Sequence, residues 1–326
     1  GVTGTPPRGS RVGWGGRRGP LVDYTTMTSS ATHSTDDLEL THLRLERPAE
    51  GVVRLVLDNP GTRNAMSDEM TASWVAAIDA LAVDESVRVV VVTGEGTAFC
   101  SGGNTSWIAS EPDAGVDRLR TRMMAFYRAW LSIRRLEVPT IAAINGPAIG
   151  AGLCLALACD IRYAQQGARM GAPFVKLGMH PGMAGTHLLP QAVGLAAARD
   201  LLLTGRVVQD EEAVHLGLVS RVLPEVTFVD IVQETAEGIA GTAPIPSRLT
   251  KLALQDGGDT LQPHAGIDGR ARQVHPVARR DLLVLHEDEV PDLDETVAVL
   301  VRTAGRATRN VRAVIEKDLG AWAAGT

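Results

Sequence analysis

The stretch NGPAIGAGLCLALACD, Asn145 to Asp160, decides how the chain folds. It joins a short apolar run, Thr140–Asn145, to a glycine-spaced segment that turns almost wholly apolar. Three readings compete: a phosphate-binding loop, a membrane span, and a helix start whose backbone carries chemistry. From Ile141 to Ala158 there are 18 residues without a charge, at the lower limit for a span, and Asn145, Pro147 and three glycines interrupt them. Gly146, Gly150 and Gly152 are spaced GxxxGxG, not the GxGxxG that a dinucleotide needs after a strand. GEGTAF after the Val87–Thr93 run fails too, because Phe99 occupies the third glycine position.

The helix-start reading uses backbone alone. A chain turning from strand to helix leaves its first N–H groups unpaired, with the positive end of the helix dipole behind them. Gly150, Ala151 and Gly152 are small enough for a ligand oxygen to approach that backbone closely. A second donor from the CSGGN loop (Cys100–Asn104) would complete an oxyanion hole for a thioester enolate. On spacing alone, tight helix–sheet packing explains the same small residues at least as well.

Working outward, GVVRLVLD (Gly51–Asp58) alternates as a strand does and ends at the turn-like DNPGTRN. Ser67 caps a helical pattern in which Met70, Trp74, Ile78 and Leu81 recur, with Asp68 and Glu69 at its positive end. VRVVVVTG (Val87–Gly94) is a β-branched run of the kind buried on both faces, so strand–helix–strand predicts a parallel pair. A loop with four glycines follows, then a helical pattern from about Asp117 to Arg135, then a strand in PTIAAIN. DIRYA and RMGAP are short strand candidates. Helices are expected near Thr186–Val193, Ala196–Leu203, DEEAVHLG and Phe228–Gly241.

The 326 residues are 44% apolar and 21% charged, enough to bury a substantial core, and only 4% are aromatic, so that core is aliphatic. A net charge of -6 with no basic run argues against a nucleic-acid surface. The three cysteines, Cys100, Cys154 and Cys159, form no CxxC pair and no metal-like spacing, which points to a reducing cytoplasm. Residues 1–37 are Gly/Pro-rich and poorly hydrophobic, predicting a disordered extension with no signal-peptide core; Met27 is a possible natural start. A folded core is expected over 38–256 and an atypical helical tail over 257–326.

Five ordered blocks resemble the enoyl-CoA hydratase/isomerase (crotonase) superfamily: LDNPGTRNAMS, AFCSGGNTSWI, PTIAAINGPAIGAGLCLALACDIRYA, MGAPFVKLGMHPGMAGTHLLPQAVG and LLLTGRVVQDEEAVHLGLVSRVL. The resemblance covers about residues 40–256. It implies an α/β fold, a crotonase-like spiral of ββα units with a helical C-terminal trimerisation region, assembled as trimers or pairs of trimers. It also implies an acyl-CoA substrate, no cofactor beyond the CoA moiety, no metal, and lyase or isomerase chemistry of the fatty-acid type. Aligned on the family pattern, the oxyanion amides fall at Gly103 and Ala151. Thr62, Arg63 and Ala65 match the segment that receives CoA, and Ser101, Asn104, Trp107 and Phe174 fall at the acyl end.

The departures bear on the reaction. Family hydratases add water with two glutamates, and here those positions are Cys154 and Phe174. The acid positions of related isomerases and hydrolases fall near Gly182 and Met183. Standard hydration is therefore not expected. An apolar-flanked Cys154 holds little thiolate, which weakens a nucleophilic role. His180 is the titratable candidate, since a histidine works as acid or base near neutral pH, although a packed histidine beside Pro181 is the plainer reading. His187 is weaker. Asn104 and Ser106 either orient a substrate oxygen or cap the loop, Trp130 lines or packs against the pocket, and Asp160 reads as a structural cap. The expected enzyme stabilises a thioester enolate and suits decarboxylation or retro-aldol cleavage, in which the substrate supplies its own acid or base. The alternative is a catalytically silent acyl-CoA-binding homologue. After Gly258 the sequence departs from the family, through either a shifted reading frame or a divergent helical tail.

Overall fold

The computed structural model describes residues 38–103 and 116–255. The extension over 1–37, the tail beyond 255, and Asn104, Ser106 and Trp107 lie outside the described residues.

Six strands form the main sheet, in the order β1-β2-β3-β4-β6-β9: β1 (Leu43–Ala49), β2 (Val52–Leu57), β3 (Val89–Gly94), β4 (Thr140–Ile144), β6 (Ile161–Gln165) and β9 (Arg221–Leu223). The β1–β2 pair is antiparallel, turning at Gly51 with φ 73, and every other pair is parallel. The pattern in GVVRLVLD marks β2, but β1 is charged at alternate positions and is recognisable only from its partner. Helix α1 (Asp68–Val83) carries the crossover from β2 to β3, and Ser67 accepts a hydrogen bond from Met70 N–H at 3.2 Å, capping it as its sequence predicts.

The sheet separates two cores, and β3 shows why its sequence is uninterruptedly apolar. Val90 and Val92 join one core with Trp74 and Ile78 of α1, and Val89 and Val91 join the other with Phe228, Val232 and Ala236. Those last three lie on α6 (Glu225–Ala240). Helix α2 (Val116–Leu131) leads towards β4, and its Trp130 stacks on Trp74 with ring centroids 4.9 Å apart. Trp130 therefore packs in the core; its indole N–H donates to Thr71 Oγ1 at 3.0 Å.

Strands β2, β3, β4 and β6 are each followed by a short segment that turns away and bonds to its counterparts. Met66 bridges Gly103, Cys100 bridges Ala148, β5 (Ala148–Ile149) pairs with β7 (Met170–Gly171), and β7 pairs with β8 (Val207–Val208). Strand, short strand, helix, repeated with a second rail of hydrogen bonds, is the ββα spiral. Helix α3 (Ala151–Ala158) follows β5, and α4 (Gly185–Thr204) follows β7. Gly194, with φ 74 and ψ 161, breaks α4 into the two helical segments its sequence pattern predicts.

Helices α5 (Asp210–His215), α6 and α7 (Pro244–Gln255) complete the described chain. Lys251 ties α7 to the sheet: its buried ammonium donates to Val138 O and pairs with Asp160 Oδ2, both at 2.8 Å. Burial pulls the Lys251 pKa below the usual lysine value while Asp160 opposes that shift. Asp160 also accepts from Thr140 N–H at 2.7 Å and Thr140 Oγ1 at 2.8 Å, the structural role its position at a helix end suggests. Among the described residues no helix is long and apolar enough to cross a membrane.

Candidate active site

Two asparagines shape the loop after β3. Asn64, fully buried with φ 57, donates to Ala98 O at 2.8 Å and Glu95 O at 3.0 Å, and accepts from Asn59 N–H at 2.9 Å. Asn145 accepts from Gly94 N–H at 3.1 Å and donates to Gly94 O at 2.8 Å and Gly96 O at 3.0 Å. The sequence places Asn64 in a turn and Asn145 at the end of a strand, and assigns a role to neither. Their signal was modest: Asn64 stands in a turn and tolerates the left-handed region, and Asn145 closes a buried strand with a side chain that must find partners.

The loop then runs against the helix start. Cys100 N–H donates to Pro147 O at 3.1 Å and Ile149 N–H returns a bond to Cys100 O at 3.0 Å. Gly150 N–H donates to Gly171 O at 2.9 Å. A Cβ on Gly152 would sit 2.2 Å from the Cys100 carbonyl oxygen, and one on Gly102 would sit 2.8 Å from Ile149 O and 3.4 Å from Ala151 N. Both glycines are required by this approach, and Gly102 also has φ 100. Gly102 and Gly103 thus lie beside the first turn of α3, although they are far from it in sequence.

The first helical hydrogen bond of α3 runs from Cys154 N–H to Gly150 O at 3.1 Å. The amide of Ala151 lies ahead of that bond, at the start of a helix whose eight residues are all buried and which has no side-chain cap. In the Gly102–Gly103 loop, the bridge between Met66 and Gly103 uses Met66 N–H and Gly102 O at 2.9 Å, leaving the Gly103 amide outside the pair. Rings flank both amides. Phe126 would touch a Cβ on Gly103 at 3.6 Å, and Phe174 would touch one on Gly150 at 3.7 Å.

The turn expected to receive CoA is joined to this loop. Ser101 N–H donates to Arg63 O at 3.0 Å and Ser101 Oγ donates to Thr62 O at 3.1 Å. The structure therefore brings Thr62, Arg63, Ala65, Ser101, Gly103, Ala151, Cys154 and Phe174 into one neighbourhood. Arg63 is exposed with φ 54. His180 lies on the loop after the 3-10 turn Pro173–Leu177 with its side chain exposed, and His187 is exposed near the start of α4.

Cys154 is buried, its Sγ 3.6 Å from Gly182 O, and burial pushes its thiol up to about 12. Such a thiol stays protonated at neutral pH and is neither base nor nucleophile. Tyr127 on α2 is the residue sequence reading missed. A Cβ on Gly182 would lie 2.0 Å from the Tyr127 hydroxyl, so that hydroxyl fills the space of a side chain at 182. Burial, and secondarily the charge Cys154 would carry if ionised, raises the Tyr127 pKa above the usual tyrosine value. Helical periodicity marks α2 as amphipathic but does not reveal which partner its aromatic residues meet.

A sheet with a second rail of short strands, and a helix start facing a glycine loop, defines a crotonase-type α/β protein. The enoyl-CoA hydratase/isomerase family model matches residues 47–280. A probable enoyl-CoA hydratase of Mycobacterium tuberculosis is 42% identical over 230 residues, covering 70% of this chain and 85% of that protein. The mitochondrial methylglutaconyl-CoA hydratase of Rattus norvegicus is 36% identical over 234 residues, covering 70% of this chain and 73% of that one. The crystal structure of an enoyl-CoA hydratase from Bacillus anthracis matches with TM-score 0.62 at 32% identity, over 67% of this chain and 83% of that one. The chain belongs to the enoyl-CoA hydratase/isomerase family.

Proposed function

We propose that this protein processes an acyl-CoA thioester by holding its enolate oxygen between the backbone amides of Gly103 and Ala151. The observation that carries this reading is the packing of the Gly102–Gly103 loop onto a buried, uncapped helix start. Amides held by a rigid backbone need no reorganisation when charge develops on a bound oxygen, and burial strengthens their effect. The CoA moiety would lie along Thr62, Arg63 and Ala65. The acyl chain would pass Phe126 and Phe174 towards Cys154.

Water addition is not the reaction we assign. A protonated Cys154 and a phenyl ring at 174 stand where that chemistry needs carboxylates. The site suits decarboxylation, in which a substrate carboxylate leaves as CO2, its C–C electron pair becomes the enolate, and water then protonates the α-carbon.

The test is α-carbon deuteration of butyryl-CoA in heavy water, where solvent deuteroxide removes the α-proton and enolate stabilisation by the two amides accelerates that exchange without the full reaction. Exchange above the solution rate is expected. Binding of butyryl-CoA without exchange would replace this reading with a silent acyl-CoA-binding homologue.

A further inference from the structure

Helix α2 lies over the site, and its aromatic side chains have different roles. Trp130 is buried against Trp74 in the core. Phe126 faces the Gly103 turn, and Tyr127, its ring centroid 5.9 Å from that of Phe126, reaches Gly182. Only the last brings a polar group to the Gly182 backbone. The thiol of Cys154 lies 3.6 Å from Gly182 O, so the hydroxyl, the thiol and the Gly182 backbone share one small region. Phe126, Tyr127 and Phe174 are partly buried and pack against the same hydrophobic core that holds Cys154 and Met183. No described residue forms a hydrogen bond with the Tyr127 hydroxyl.

We propose that Tyr127 determines acyl specificity by donating its hydroxyl hydrogen to an oxygen carried at or beside the β-carbon of the substrate's acyl chain. The position follows from α3. Cys154 lies three residues beyond Ala151, about 4.5 Å along the helix at its rise per residue. A thioester oxygen at the Ala151 amide therefore places the β region of the acyl chain beside Cys154 and Tyr127.

The role follows from the surroundings. Burial keeps this phenol protonated through the neutral range, so it donates a hydrogen bond and does not act as a base. A hydroxyl in an apolar pocket discriminates strongly, because a plain alkyl chain removes its water and returns no acceptor. Tyr127 thus supplies the polar contact that residues 154, 174 and 182 do not, and it recognises an oxygenated chain.

The proposal rests on the acyl-CoA reading above, and calorimetric titration with two thioesters separates them. Wild-type protein is expected to bind 3-hydroxybutyryl-CoA at least ~10-fold more tightly than butyryl-CoA, the scale of one hydrogen bond kept or lost in an apolar site. Tyr127→Phe keeps the ring and should lose the preference, through weaker binding of the hydroxylated thioester and tighter binding of butyryl-CoA, which then strips water from no unmatched hydroxyl. Gly182→Ala, whose methyl displaces the hydroxyl, should lose it too. Equal wild-type affinities, or a preference that survives in Tyr127→Phe, overturn the role of Tyr127 and leave the acyl-CoA reading intact. If neither thioester binds the wild-type protein, both fall together.

Discussion

Replacing Ala151 by proline tests the proposed oxyanion hole at a single atom. Residue 151 is the first of α3, and its N–H lies ahead of the first helical bond, Cys154 N–H to Gly150 O. Proline is well tolerated at a first helical position, because the N–H it lacks has no partner inside the helix. The substitution therefore deletes one proposed donor and no helix bond. Its ring must fit near Gly102, whose hypothetical Cβ lies 3.4 Å from Ala151 N, so thermal unfolding is measured alongside. Loss of one oxyanion donor costs about 10²–10³-fold in rate, or about 2.7–4 kcal/mol of transition-state stabilisation. The assay is deuterium incorporation at the α-carbon of butyryl-CoA in heavy water, followed by mass spectrometry. Ala151→Gly, which keeps the N–H, is expected to stay within a few-fold of wild type. A folded Ala151→Pro that exchanges at the wild-type rate refutes the assignment. An Ala151→Gly that falls as far as the proline variant refutes it too, because packing would then account for the loss.

The same packing gives further expectations. Gly152→Ala puts a methyl 2.2 Å from the Cys100 carbonyl oxygen, which is backbone and yields little. It should cost about 1–3 kcal/mol and lower Tm, and an unchanged Tm would refute the close approach. All three cysteines are buried, with thiols pushed up to about 12. Native protein at pH 8 should therefore resist a disulfide thiol reagent and react at all three sites once denatured. The sign follows from the raised values: the neutral thiols favour the fold below the ordinary thiol pKa of 9.0, and this stability is lost as pH rises from there towards about 12. An alkaline unfolding series with Cys154→Ala, flatter than wild type over that window, checks it. Lys251→Met removes the donor to Val138 O and Asp160 and should cost about 2 kcal/mol, read as a lower urea midpoint; an unmoved midpoint would show that α7 docks without that pair.

Patterns of short range were legible in the sequence. The β-branched run of β3, the Ser67 cap and the break of α4 at Gly194 each follow from backbone preference and burial period over a few residues. The ordered glycine blocks extended that to a family and to Gly103 and Ala151 as candidate amides. Strand β1 was not legible, because its alternation lasts only from Leu43 to Glu46 before Arg47 and Pro48 break the period, and a proline argues against a strand. Asn64 looks like an ordinary turn residue and Asn145 like an ordinary strand end until their carbonyl partners, some 30 to 50 positions away, come into place.

The sequence by itself determined strands β2, β3 and β4, most of the helices, and the absence of carboxylates at 154 and 174. These depend on residue type and local periodicity. Only the tertiary structure decided that the Gly102 loop lies against the Ala151 amide and that the Tyr127 hydroxyl fills the space above Gly182. Such meetings join segments separated by roughly fifty residues. They are set by how the packed cores position the sheet and helices, and no local preference encodes that distance.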